Sequence, residues 1–262
     1  MTHPLLDISG KVCLVTGGTS GLGKAITLGY AQAGAKVIAA SSNPDKVHAM
    51  QKELSTIGAG HDAMALNVTD ASAVDAALKH AVAKYGRLDA VVSAAGVHRK
   101  QPSLEMPVEE FERIIRINLI GSFIVNQAAG KIMKDQNPDA KAVRGCIINI
   151  ASVASFMSLT EVIAYASSKS GVLGLTRGLA NEWAPLGIRV NGIAPGFFPT
   201  DLNRKILEGT PRGEWIQKHT PMARFGSAEE LVGAAIYLIS DAASFTTGET
   251  LVVDGGFLTK GV

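Results

Sequence analysis

The stretch Gly10-Lys11-Val12-Cys13-Leu14-Val15-Thr16-Gly17-Gly18-Thr19-Ser20-Gly21-Leu22-Gly23-Lys24 decides the fold. Residues 12–16 are apolar or β-branched throughout and read as a buried strand. Gly17, Gly21 and Gly23 follow in a G-x-x-x-G-x-G spacing, which permits positive φ and close backbone approach. Residues 22–33 then read as a helix, whose free N–H groups face the loop and favour a phosphate. A second pattern overlaps: Gly18-x-x-x-x-Gly23-Lys24 matches most of a P-loop. Ala25 stands where that loop needs a Ser or Thr hydroxyl for magnesium, which disfavours a nucleotide triphosphatase.

Outward from this loop, short apolar runs alternate with longer amphipathic ones. Strands are expected at 12–16, 36–40, 63–67, 90–93, 146–150, 189–193 and 251–253. Helices are expected at 22–33, 44–57, 71–85, 108–136, 162–184 and 228–240. The alternation predicts a single α/β domain over residues 1–262, a Rossmann-type doubly wound parallel sheet of about seven strands with helices on both faces. Gly34 suits a helix C-cap, Asp70 an N-cap, and Ser227 with Glu230 a capping box. Residues 197–226, rich in Pro, Gly, Thr and charge, read as a substrate lid.

Composition sets bounds. The chain has 262 residues, 47% of them apolar, enough for one substantial core. Lys and Arg total 25 against 23 Asp and Glu, a net charge of +2, which points to neither a nucleic-acid nor a membrane partner. Cys13 and Cys146 both fall in strand-like runs, so buried free thiols are expected, with no disulfide framework and no metal site. No apolar run is long enough to cross a bilayer and no signal peptide is recognised, so the expected location is cytoplasmic. The Asn67-Val68-Thr69 sequon is then a chance match.

Two later motifs carry chemistry. Ser152 follows the fifth strand, and Tyr165-Ala166-Ser167-Ser168-Lys169 follows it on a helix. Four residues apart, Tyr165 and Lys169 share a helical face. An ammonium there would favour phenolate and lower the tyrosine pKa, which suits proton transfer near neutral pH. Alone, such a pair is more often an ordinary surface pair. No G-x-S-x-G elbow is present for a triad hydrolase.

The ordered set of TGGTSGLG, Asn118, Ser152, Tyr165-x-x-x-Lys169, Asn191-Gly192-Ile193-Ala194-Pro195-Gly196 and Val253-Asp254-Gly255-Gly256-Phe257 resembles the short-chain dehydrogenase/reductase family, over about residues 8–258. The resemblance implies that Tyr165 is the general acid or base, that Ser152 holds the substrate oxygen, and that Lys169 tunes Tyr165 and bonds the nicotinamide ribose. It implies that Asn118 positions a relay water. It also implies that Pro195, Gly196, Phe198 and Thr200 lie along the nicotinamide. Gly17, Thr19, Ser20, Gly21, Leu22 and Gly23 would hold the phosphates. A homotetramer is implied as well. A non-catalytic nucleotide-binding protein on the same fold is the rival from another class.

Three segments depart from the family pattern. Ser93-Ala94-Ala95-Gly96 replaces an Asn-Ala-Gly type segment, so Ser93 must supply any side-chain bond in the sheet. Asn67-Val68 replaces Asp-Val beside the adenine. The second strand ends in Ser41-Ser42-Asn43 with no carboxylate to bind a ribose 2′-OH. A 2′-phosphate could use these residues and Lys46, so NADP(H) is favoured, with NAD(H) the alternative. Downstream text, including Gly196-Phe197-Phe198-Pro199-Thr200 and Gly213-Glu214-Trp215-Ile216, is most similar to gluconate 5-dehydrogenases. It also resembles 3-oxoacyl-carrier-protein reductases, the alternative within the family. The expected substrate is a small hydroxy or keto compound, a sugar acid or polyol. Arg99 is the candidate for its carboxylate and Trp215 for packing over it.

Overall fold

A computed structural model describes residues 3–200 and 203–260. Seven strands form one parallel sheet: β1 (Val12–Thr16), β2 (Lys36–Ser41), β3 (Asp62–Ala65), β4 (Ala90–Ser93), β5 (Gly145–Ile150), β6 (Ile188–Pro195) and β7 (Thr250–Val253). Their spatial order is β3-β2-β1-β4-β5-β6-β7. The doubly wound sheet read from the alternation is the one observed.

Alternation along β1 shows why its sequence is apolar throughout. Cys13 and Val15 face one core cluster, Val12 and Leu14 the other, and all are buried. The first cluster takes Ile26 and Tyr30 from α1 (Gly21–Gln32), Met50 and Leu54 from α2 (Pro44–Ile57), and Leu238 from α9 (Val232–Ile239). The second takes Leu78 from α3 (Ala71–Tyr85), Val125 and Met133 from α5 (Gly121–Met133), and Leu179 from α6 (Ile163–Trp183). Both cysteines are buried and free. Among the described residues no helix is long and apolar enough to cross a membrane.

The expected caps form. Asp70 accepts from the Ser72 and Ala73 N–H groups, Gly34 takes φ +86°, and Glu230 accepts from Ser227 N–H at 2.8 Å. Two stretches differ from expectation. Residues 108–136 are not one helix: α4 (Val108–Ile115) passes through a π turn, Arg116–Ile120, into α5. There the Gly121 N–H reaches back to the Arg116 carbonyl, and the Asn118 carbonyl accepts from the Ser122 hydroxyl at 2.7 Å. A wide turn of this kind re-aims one side chain, here Asn118. The stretch 197–226, read as a substrate lid, holds two short helices among its described residues, α7 (Arg204–Leu207) and α8 (Pro211–His219). The signal for α8 is Thr210-Pro211: the Thr210 hydroxyl accepts from Gly213 N–H, and proline suits a first turn.

Candidate active site

The site forms where β1 and β4 lie side by side and their connections depart to opposite faces of the sheet, the crevice such sheets use for ligands. Gly17 takes φ +69°, and a Cβ there would lie 2.8 Å from backbone atoms of Ala94 and Ala95. A Cβ on Gly23 would stand 2.3 Å from the Gly17 carbonyl oxygen. The loop therefore lies directly against its neighbours. Ser20 precedes α1 without a side-chain cap, and the buried Thr19 hydroxyl has no hydrogen-bond partner. An open helix N-terminus, an orphaned buried hydroxyl and glycines that a methyl would block fit a dinucleotide phosphate.

A cleft of about 440 Å³ runs from this loop across the sheet end. Gly17, Ser20, Gly21, Leu22, Gly23, Ala94, Gly96, Ser152, Tyr165, Lys169, Pro195, Gly196, Phe198 and Thr200 line it. Among the described residues no Asp or Glu lines it. Val97, His98 and Asn203 line it too, and the sequence reading assigned them no role. Asn203 holds the far wall: its Oδ1 accepts from Thr200 N–H at 2.7 Å and its Nδ2 donates to the Phe198 carbonyl at 2.9 Å.

Ser152, Tyr165 and Lys169 converge beside the cleft. Ser152 caps the short turn Val153–Ser155 by accepting from Ala154 N–H, which fixes its rotamer. Its hydroxyl acts on the Tyr165 phenol in the sense that favours the phenolate. Lys169 is 5% exposed, and its Nζ donates to the Ile150 carbonyl at 2.6 Å and lies 5.8 Å from the Tyr165 ring centre. The electrostatics correct one expectation. Burial raises the Tyr165 pKa, the Ser152 hydroxyl offsets part of this, and Lys169 supplies no resolved lowering. Burial instead pulls the Lys169 amine from 10.5 to about 8.

That shift has a testable consequence. Between pH 8 and 10.5 the unfolded chain keeps a proton on residue 169 that the folded chain has lost. Stability contributed by this group therefore rises with pH across the window. Urea unfolding of wild type and Lys169→Met should show the wild-type-minus-variant difference increasing from pH 8 to 10.5. A flat or falling difference would contradict the assignment.

Asn118 is fully buried and grips the strand exit from below. Its Oδ1 accepts from Val97 N–H at 2.8 Å, and its Nδ2 donates to the Val97 carbonyl at 2.9 Å and to the Ser168 hydroxyl at 3.0 Å. Ser93 opens a buried polar chain, Ser93 Oγ to Asn126, Asn126 to Asn149, Asn149 to Thr176. This chain supplies the sheet bond that the changed segment required, through partners distant in sequence.

Other candidates lie apart. Ser41 and Asn43 cap the turn into α2, with Asn43 accepting from Lys46 N–H; exposed Ser42 does not line the cleft. Lys46 lines the β2 end of the cleft and an adjoining hollow shared with Thr19, Lys24 and Arg204. Asn67 spends its amide oxygen on the N–H and hydroxyl of Thr69, and Val68 packs against Gly121. The structure does not bring Arg99 or Trp215 to the cleft. Arg99 is exposed and its charge acts on Glu110; half-exposed Trp215 stacks on His219 with ring centres 3.9 Å apart.

A family model described as enoyl-(acyl carrier protein) reductase matches residues 17–258. A D-threitol dehydrogenase of Mycolicibacterium smegmatis is 40% identical, covering 97% of this chain and 95% of the relative. A 3-oxoacyl-[acyl-carrier-protein] reductase of Thermotoga maritima is 37% identical, covering 97% of this chain and 100% of the relative. Among solved structures, a gluconate 5-dehydrogenase of Burkholderia cenocepacia in complex with NADP and tartrate has a TM-score of 0.91 at 34% identity, covering 98% of this chain and 99% of that one. Fold, cleft and relatives together define a nicotinamide-dependent oxidoreductase acting on CH–OH groups. The chain belongs to the short-chain dehydrogenase/reductase family.

Proposed function

We propose that the protein interconverts a secondary alcohol and a ketone on a small polyhydroxylated substrate, a polyol or sugar acid, with NADP(H). The observation that carries this is the convergence of Ser152, Tyr165 and buried Lys169 on the wall of a cleft whose other end is the glycine loop. When bound, the nicotinamide gives or takes the hydride. Gly17, Gly21 and Gly23 would receive the phosphates, and Pro195, Gly196 and Thr200 the ring. Ser152 holds the substrate oxygen and stabilises charge developing on it. In reduction Tyr165 gives its phenolic proton to that oxygen; in oxidation it takes the proton back. Lys169, its Nζ 5.8 Å from the Tyr165 ring centre, is placed to bond the nicotinamide ribose.

For the 2′-phosphate, Lys46 at the β2 end of the cleft supports the NADP(H) reading. The NADP-bound relative adds to that support. Residues 197–226 act as the lid in this reading, and the assembly is a cytoplasmic homotetramer. Exposed apolar Phe123 and Ile163 on two long helices, and Val252 on the last strand, support burial between subunits. The test is a panel of polyols, sugar acids and keto acids followed at 340 nm, with calorimetric Kd values for both cofactors. NADP(H) is expected to bind at least tenfold tighter, ~1.4 kcal/mol, with much of the margin lost in Lys46→Ala. Tighter NAD(H) binding would reverse the cofactor assignment.

A further inference from the structure

We infer that His98 selects the substrate by hydrogen-bonding a hydroxyl on the carbon beside the reacting one, so that the site prefers neutral vicinal polyols and α-hydroxy ketones to sugar acids. This rests on the redox reading of the same cleft and narrows its substrate class.

The segment that carries His98 is pinned at both ends. At one end the Val97 N–H and carbonyl are both bonded to the Asn118 side chain, at 2.8 and 2.9 Å. At the other, Gln101 N–H donates to the Glu161 carbonyl at 2.7 Å, and Lys100 pairs with the Glu161 carboxylate at 2.9 Å. Glu161 itself sits at φ +64°, a strained region for a residue with a Cβ. Such a conformation persists when surrounding contacts over-determine it, and here its carbonyl and its carboxylate both hold the segment. The directions of three successive side chains are thereby fixed. His98 points inward, edge-on to the Tyr165 ring with centres 6.1 Å apart. Arg99 points outward beside Glu110, and Lys100 is taken by Glu161.

This arrangement turns away the two cations that could neutralise a substrate carboxylate. Among the described residues the Lys and Arg side chains lining the cleft are Lys46, at the β2 end, and Lys169, whose ammonium is engaged by the Ile150 carbonyl. A carboxylate desolvated next to Tyr165 would lack a fixed Arg or Lys partner, which is costly. A hydroxyl there needs one donor or acceptor, and one ring nitrogen of an imidazole suffices for that. Ser152 and Tyr165 fix the reacting oxygen, and the imidazole flanking Tyr165 faces a neighbouring one.

The test is a substrate–variant cycle. Wild type and His98→Leu are assayed with 2,3-butanediol and with 2-butanol, which lacks the second hydroxyl. NADPH fluorescence titration of each protein reports the intact cofactor site. His98→Leu is expected to lower kcat/KM for the diol 10- to 100-fold, chiefly through KM. It should leave 2-butanol within about twofold and NADPH binding unchanged; His98→Asn should restore part of the diol activity. Wild type should also prefer a four-carbon polyol to the aldonic acid of equal length by at least tenfold. Equal losses on diol and mono-alcohol, or a preference for the aldonic acid, overturn the inference while leaving the polyhydroxylated reading in place. A wild-type preference for 2-butanol over every diol and sugar acid overturns both.

Discussion

Tyr165→Phe is expected to lower kcat about 10³-fold in both directions while NADP(H) affinity stays within about twofold. A positioned acid–base group contributes roughly 10²- to 10⁴-fold, and Tyr165 brings the phenolic proton to the Ser152 oxygen site. The Phe ring keeps the edge contact with His98 and the place beside Lys169, so packing is conserved and only the hydroxyl is lost. The Ser152 hydroxyl keeps its bond from Ala154 N–H, so the substrate oxygen still finds a partner but no proton. The direction of the pKa shift adds a second signature. Burial holds the Tyr165 phenol above its ordinary 10, so the enzyme without cofactor carries the proton at neutral pH. That state is ready for ketone reduction. Alcohol oxidation needs the deprotonated form, so its rate should climb with pH above neutrality, and Tyr165→Phe should flatten the climb. Steady-state rates at 340 nm with fluorescence titration of NADPH check both. Retention of a tenth of wild-type kcat would remove Tyr165 from the proton-transfer role.

What the sequence disclosed and what it hid divide by the range of the interaction. The glycine loop, the caps at Asp70 and Ser227, and the one-face pairing of Tyr165 with Lys169 are set by neighbours within a few residues, so spacing reveals them. The alternation of β1 between two clusters is likewise written in its own five residues. The relay Ser93–Asn126–Asn149–Thr176 joins two strands and two helices, and no local pattern marks it. The π turn at Asn118 sits inside a continuous helical periodicity and becomes visible only through its grip on Val97. Whether His98 or Arg99 enters the cleft depends on Asn118 and Glu161, some 20 and 60 residues away in the chain. The Tyr165 shift divides the same way: i,i+4 spacing announces the cation, whereas the desolvation that raises the pKa belongs to the assembled cleft.

Gly17→Ala tests the other half of the site, with Gly86→Ala as its control. Both glycines have positive φ, +69° and +85°, so both variants incur the left-handed penalty of ~1–2 kcal/mol. Nothing lies within 4 Å of a Cβ at Gly86, which ends α3 far from the cleft. That variant should lose a few degrees of Tm and bind NADP(H) as wild type does. At Gly17 the added methyl stands 2.8 Å from the Ala94 carbonyl and the Ala95 nitrogen, backbone atoms that cannot rotate away. The β1–α1 loop must therefore lift from the β4 exit. In doing so it carries off the N–H groups at the start of α1 and disturbs the Gly17 carbonyl against which Gly23 rests. Hydrogen bonds to a phosphate weaken steeply with misalignment, and several act together here. The expected result is at least a 100-fold rise in the NADP(H) Kd, ~2.7 kcal/mol, measured by calorimetry, with a larger Tm loss than in the control. If Gly17→Ala matched Gly86→Ala in both measurements, close approach of Gly17 to Ala94 and Ala95 would have no part in cofactor binding, and the phosphate would have to be held elsewhere in the cleft.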